Sequence, residues 1–147
     1  MKRSPLKRKT KLRVAGKSSA SEDKREIQSL LRQIVMKRDK GCILRMERCG
    51  NELDTPGVVF QADHLVTRAN SATYADHRLV VCVCRGCHGW KHWHKEQYDA
   101  LIKTILPEDT VRLWEKAEQS RWRPTNRSGS DWKLEIVALK QYLTQLT

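Results

Sequence analysis

The sequence predicts an α+β fold of one domain, from three observations. Ile27, Leu30, Leu31, Ile34 and Val35 recur at i, i+3, i+4, i+7 and i+8, one apolar face of a helix. Two short β-prone runs, Val58-Val-Phe-Gln-Ala62 and Leu79-Val-Val-Cys-Val83, stand on either side of a polar segment, Thr67 to Asp76. Immediately after the second run, from Arg85, the pattern becomes helical again. The 147 residues are one domain's length, on a prior of about 100–200 residues per domain.

Each element has its own signal. Residues 1–20 form a basic arm expected to be disordered. Residues 1–17 hold eight Lys or Arg and no acid, too charged and too poor in apolar groups to fold alone. Ser19-Ala-Ser-Glu22 reads as a capping box, which starts a helix at about 22–39 with Gly41 as its stop. Gly41 to Gly57 is irregular, holds Cys42 and Cys49, and ends in the turn signal Thr55-Pro-Gly57. After the two strands, one helix runs from Arg85 through Tyr98, Leu101, Ile102 and Ile105 to Pro107. Pro107-Glu-Asp109 opens the next, about 108–119, with Val111, Trp114 and Ala117 inward. Arg121 to Ser130 is a basic linker, and a last helix from Asp131 places Leu134, Ile136, Leu139, Leu143 and Leu146 on or near one side. The domain is therefore expected at 21–120, followed by linker and helix at 121–147.

Composition narrows the function classes. No stretch approaches the roughly 18 consecutive apolar residues of a membrane span, and no apolar segment follows the basic N-terminus as in a secretory signal. The net charge is +12, and outside the arm 21 basic face 17 acidic side chains, a surplus of only four. A polyanion is the expected partner, because such an arm neutralises phosphates and releases their counterions. Arg121-Trp122-Arg123 and Arg127 suit the same partner, whereas Trp90 and Trp93 read as core.

The five cysteines are an odd number, with Cys82, Cys84 and Cys87 crowded into six residues. That suits a reducing compartment and a metal site better than a disulfide framework. Cys84-Arg-Gly-Cys87, at a strand end and helix start, points two sulfurs at one spot. Cys42 and Cys49 supply a second pair for a tetrahedral Zn²⁺. Cys82 faces the same side as Cys84 and reads as a core residue rather than a competitor for the metal. His88 and His92 lie four apart on one helical face and can share a divalent ion. Asp63-His64 ends the first strand, where both side chains are expected to reach one cleft. Asp63 is then a candidate ligand and His64 a candidate base.

Asp63-His64, Arg68, Asp76-His77-Arg78-Leu79 and Cys84-x2-Cys87-His88-x-Trp90-x-His92 together resemble the HNH, or ββα-metal, nuclease superfamily, most of all its small phage and prophage members. The resemblance covers about residues 40–106. It implies a zinc-knuckled, treble-clef-like ββα core with flanking helices, and endonuclease hydrolysis of DNA in phage recombination or processing, in the cytoplasm of a bacterial or phage-infected cell. His64 resembles the general base, and Asp63, His88 and His92 resemble the ligands of a catalytic ion (Mg²⁺, Mn²⁺ or another first-row metal). The family's middle Asn is absent. His77 or Asp76 stands in that region, with His77 orienting the loop, replacing the Asn as a ligand, or doing neither. His94 lies beyond the motif, a surface or phosphate-contacting residue.

The chemistry fits the residues on its own terms. Phosphodiester hydrolysis needs an activated water and relief of charge at the phosphate, and Arg68 or Arg85 can add to the latter. Lys7, Arg8, Lys9, Arg121 and Arg123 are the remaining candidate nucleic-acid contacts; RNA is not excluded as the partner. Two other readings compete: a non-catalytic zinc-stabilised nucleic-acid-binding module, and a structural or adaptor protein of a phage assembly.

Overall fold

Helix α1 spans Ser19–Asp39 in the computed structural model, which describes residues 19–47, 49, 56–120 and 129–146. Lys7, Arg8, Lys9, Arg121, Trp122, Arg123 and Arg127 lie outside those residues. The expected stripe Ile27, Leu30, Leu31, Ile34 and Val35 is buried throughout. The helix starts at its capping signal, three residues before the expected 22, so Ser19 and Ala20 belong to it rather than to the arm. It ends as expected before Gly41, but Lys40 takes the left-handed conformation (φ 54°), its N–H bonding the Met36 carbonyl at 3.2 Å.

Strands β1 (Phe60–His64) and β2 (Val80–Cys84) form a two-stranded antiparallel sheet with Phe60 opposite Cys84 and His64 opposite Val80. The first strand lies two residues later than its β-prone run. Helix α2 begins at Arg85, so no strand remains opposite Val58 and Val59. Only the Arg85 N–H reaches back, to the Val59 carbonyl at 2.8 Å. All five β2 residues are buried, since helices cover both faces.

The outer edge of β2 is closed without a third strand. The Asp39 carboxylate accepts the Cys82 N–H at 2.8 Å, and the Ile43 N–H donates to the Cys82 carbonyl at 2.8 Å. Arg38 donates to the carbonyls of His77 and Val80 at 2.8 Å each, while gripping Asp39 at 2.6 and 2.9 Å. Backbone groups that would otherwise be buried unpaired are satisfied by one side-chain pair and one turn.

The single helix expected from Arg85 to Pro107 is two, α2 (Arg85–Trp93) and α3 (Lys95–Ile105). The chain breaks at His94 (φ −135°, ψ 48°), whose N–H closes α2 and whose carbonyl opens α3. His94 is exposed, with its ring stacked on Trp90, and the redirected α3 buries Tyr98 and Ile102. Trp90 is half-buried. Trp93, expected in the core, is 86% exposed: α2 turns Cys87 inward and carries Trp93 on its far side with Gly89.

Helix α4 (Glu108–Ser120) buries Trp114 and Ala117. Helix α5 (Gly129–Gln145) packs on α1 through Trp132, Ile136 and Leu139. Trp132 sets that face, and Leu134, expected on it, is 69% exposed. Tyr74 meets Trp132 edge-to-face at 5.4 Å, and Lys140 pairs with Glu26 of α1 at 2.6 Å. Among the described residues no helix is long and apolar enough to cross a membrane.

Replacing Asp39 by Ala removes the acceptor of the Cys82 N–H and the partner of Arg38. The expected cost is about 1–3 kcal/mol, against less than about 0.5 for exposed Lys116→Ala on α4, in urea unfolding. Equal midpoints for the two variants would remove Asp39 from its place as the edge clamp.

Candidate metal centre and the histidine site beside it

Four thiols converge where the loop after α1 meets the β2–α2 junction. The sulfurs of Cys42, Cys49, Cys84 and Cys87 all lie within 4.8 Å of one another, and all four residues are buried. Two short turns bring the first pair in: Arg45 N–H to the Cys42 carbonyl at 3.1 Å and Cys49 N–H to the Met46 carbonyl at 2.8 Å, with Arg45 left-handed at φ 46°. Those turns make a six-residue spacing serve as a knuckle. The second pair is set by the helix start, where the Cys84 sulfur accepts the Cys87 N–H at 3.4 Å.

A tetrahedral zinc with Zn–S of about 2.3 Å spaces its sulfurs about 3.8 Å apart. Here Cys49 lies 3.2 Å from Cys87 and 3.6 Å from Cys84. The donor set and its spacing fit, and the four cysteines could hold a metal ion such as zinc. Burial and the neighbouring thiols push the Cys49 thiol up. Burial also opposes ionisation of Cys84, but the Cys87 N–H and the thiols around it outweigh that and bring Cys84 below its ordinary value. Cys82 stays out of the cluster as a core residue, its sulfur 3.5 Å from that of Met36. Burial pushes it up to about 12, with Asp39 adding to the effect.

One turn along α2 from Cys87, the helix faces Asp63 of β1. This carboxylate is 4% exposed and needs a counter-charge. Lys91 supplies it, its ammonium bonding both oxygens at 2.8 and 2.7 Å and the His64 carbonyl at 3.2 Å. The Tyr98 hydroxyl donates to the same carboxylate at 2.7 Å; burial and Asp63 push the phenol up, so it stays a donor. The His88 Nε2 stands 3.5 Å from Asp63 Oδ1. His92 is exposed, its ring edge-on to that of His88 at 5.2 Å. The structure thus joins Asp63 to His88 and sets His92 beside His88. The three do not converge as one ligand cluster: among the described residues only the four cysteines do.

Asp63 and His64 do not reach one cleft. They end β1, as expected, but both are paired there, opposite Val81 and Val80, so the end is not frayed and their side chains leave opposite faces of the sheet. His64 turns toward α1, where its Nε2 is 3.0 Å from the Gln28 Oε1. Burial pushes its imidazole down to about 4, with the charges of Arg68 and Lys91 adding to this and Asp63 opposing. His64 is therefore neutral at pH 7. Arg68 and Arg85 are exposed.

His77 is neither beside Asp63 nor a partner of His88. Its ring stacks on Tyr142 of α5 at 3.9 Å and its carbonyl accepts from Arg38, so it packs the last helix on the β2 entry. Asp76 grips Arg78 at 3.0 and 2.8 Å.

Sequence reasoning missed Lys91, Tyr98 and Gln28. Lys91 had a signal: three residues after His88, it shares the helix face given to metal ligands. Tyr98 became a partner of Asp63 only through the break at His94. Gln28 sits on a helix distant in sequence and had no signal.

Chelation or loss of one thiol tests the cluster. The purified chain is expected to carry one zinc, and Cys87→Ala to carry none. Structural zinc contributes on the order of 10 kcal/mol to folding, so the variant and the chelated chain should lose their cooperative melt. A metal-free chain with an unchanged melt would remove the cluster from the fold's supports. His64 gives a second test, with its sign fixed. Its folded pKa lies below the unfolded value of 6.5, so the neutral form stabilises the fold above pH 6.5, and that stabilisation is lost as pH falls toward 4. The His64 ring resonances should therefore stay in the neutral position down to about pH 5 in an NMR titration. A midpoint near 6.5 would contradict its burial against α1.

No protein-family model, no curated protein and no solved structure matches the chain.

Proposed function

We propose that the chain is an HNH-type, metal-dependent endonuclease that hydrolyses DNA phosphodiester bonds. The observation that carries this reading is the approach of Asp63 on β1 to His88 on α2, 3.5 Å apart, with His88 next in sequence to Cys87 of the four-thiol cluster. A carboxylate oxygen and an imidazole nitrogen at that separation have the spacing of two ligands on one ion. His92, exposed and edge-on to His88, would have to turn inward to join them as a third ligand. A divalent ion held there supplies Lewis-acid stabilisation of the phosphate and the leaving oxygen.

The remaining roles belong to this chain's side chains. His64, neutral at pH 7, has a lone pair available to take a proton from water. Its partner Gln28 fixes the ring's orientation. Asp63 and His64 leave opposite faces of the sheet, so a phosphate served by both has to sit at the end of β1. Lys91 balances Asp63 until the carboxylate takes another cation. Arg68, near His64, adds positive charge on the same side.

That same Lys91 favours a second reading. A carboxylate already neutralised by an ammonium needs no ion, and a zinc-braced module that binds nucleic acid without cutting it would look the same at Asp63. Plasmid nicking separates the two. The zinc-loaded chain is expected to nick supercoiled DNA with Mg²⁺ or Mn²⁺ and not with EDTA. His64→Ala should lose about 10²–10⁴-fold in rate while keeping its DNA affinity, and His88→Ala should be inactive. Salt-dependent binding without cleavage, under every metal and on branched and single-stranded DNA as well, would establish the binding module instead. Absence of salt-dependent binding would leave the adaptor reading.

A further inference from the structure

An open groove of about 580 Å³ lies between the first turns of α1 and the segment that follows β1. Lys24, Arg25 and Arg68 line it together with Ser21, Gln28 and Tyr74, and no acid is among its lining residues. Three cations around one cavity repel each other unless an anion joins them. Of the acids in these turns of α1, Glu26 is paired with Lys140 of α5, and Glu22 and Asp23 are not among the residues that line the groove. Lys24 is held in place by rings, its ammonium 5.7 Å from the Tyr74 centroid and 5.3 Å from that of Trp132.

The floor of the groove has the same polarity. Gln28 faces His64 with its amide oxygen, at 3.0 Å, so that oxygen is already engaged. Its amide nitrogen is buried without a hydrogen-bond acceptor. A buried N–H donor left unpaired is costly, and a bound acceptor would relieve that cost. The groove thus offers two guanidinium forks, an ammonium and an orphaned amide. Phosphate oxygens match this pattern, as they accept bidentate arginine bonds and carry the opposite charge.

We propose that this groove is a phosphate subsite that seats a nucleic-acid backbone against α1, on the His64 side of the sheet. The inference rests on the nucleic-acid reading above and extends it to a helix outside the region of HNH resemblance. Its open shape suits a polymer passing through rather than an enclosed small molecule. It also places the backbone beside His64, through the Gln28 bond and the charge of Arg68.

The test is binding by the full, zinc-loaded chain to a fluorescein-labelled DNA duplex across a salt series, with no divalent ion added. Arg25 and Arg68 are exposed, so Arg25→Ala/Arg68→Ala leaves the core intact; its melt is checked against the parent, and Arg25→Gln alone serves if the double variant melts early. The double variant is expected to bind more weakly at every salt concentration. Its slope of log affinity against log salt should be smaller by about 2, while Lys116→Ala on α4 should match the parent. Parental affinity and slope in the double variant would overturn the groove while leaving the nucleic-acid reading intact. No binding of DNA or RNA by the parent chain would overturn both. Calorimetry with inorganic phosphate and a nucleoside monophosphate separates the sources: uptake of these lost in the double variant, beside unchanged duplex binding, would overturn the assignment to a polymer backbone.

Discussion

Two strands of five residues cannot hold a domain together, and a hairpin of that size is marginal in water even with its face covered. What organises this one is the segment from Arg38 to Cys42, where the chain leaves α1. Arg38 and Asp39 close the outer edge of β2, and three residues later Cys42 enters the four-thiol cluster. Edge and cluster are therefore fastened by the same short piece of chain. β2 has no freedom to slip, and the cluster pins its far end at Cys84. Because Cys84 also starts α2, the rotation of that helix is set by its thiols. With Cys87 turned inward, His88 and Lys91 have to come round to face β1, and Asp63 is what they find there.

The sheet so fixed has two unlike faces. One carries Asp63 among Lys91, Tyr98 and His88, a buried carboxylate balanced within the protein. The other carries His64 against α1, a neutral imidazole with an amide partner and a basic groove alongside. Strand alternation alone separates neighbours in sequence into these two environments. An acid and a base one residue apart are thereby given different partners, Lys91 and Tyr98 for Asp63 and Gln28 for His64.

The framework was legible wherever a local pattern decided the structure. The α1 stripe, the four-cysteine set and the α2 start at Arg85 follow from periodicity and spacing, and the structure has them in those places. What was not legible depended on partners distant in sequence. The β1 register moved two residues because β2 stops at the helix that follows it, which Val58 and Val59 do not announce. Trp93 resembled core by composition, yet the thiols decide which side of α2 is buried. The break at His94 has neither Gly nor Pro to signal it. The expectation that Asp63 and His64 share a cleft came from treating the strand end as frayed; two more paired residues put them on opposite faces.

Lys91 is the residue on which the chemistry of the Asp63 face turns. It is 17% exposed and its partner 5%, so neither charge is well solvated, and the pair persists because each would cost more alone. A cation added at Asp63 would therefore gain only the difference between its own attraction and that of the ammonium it displaced.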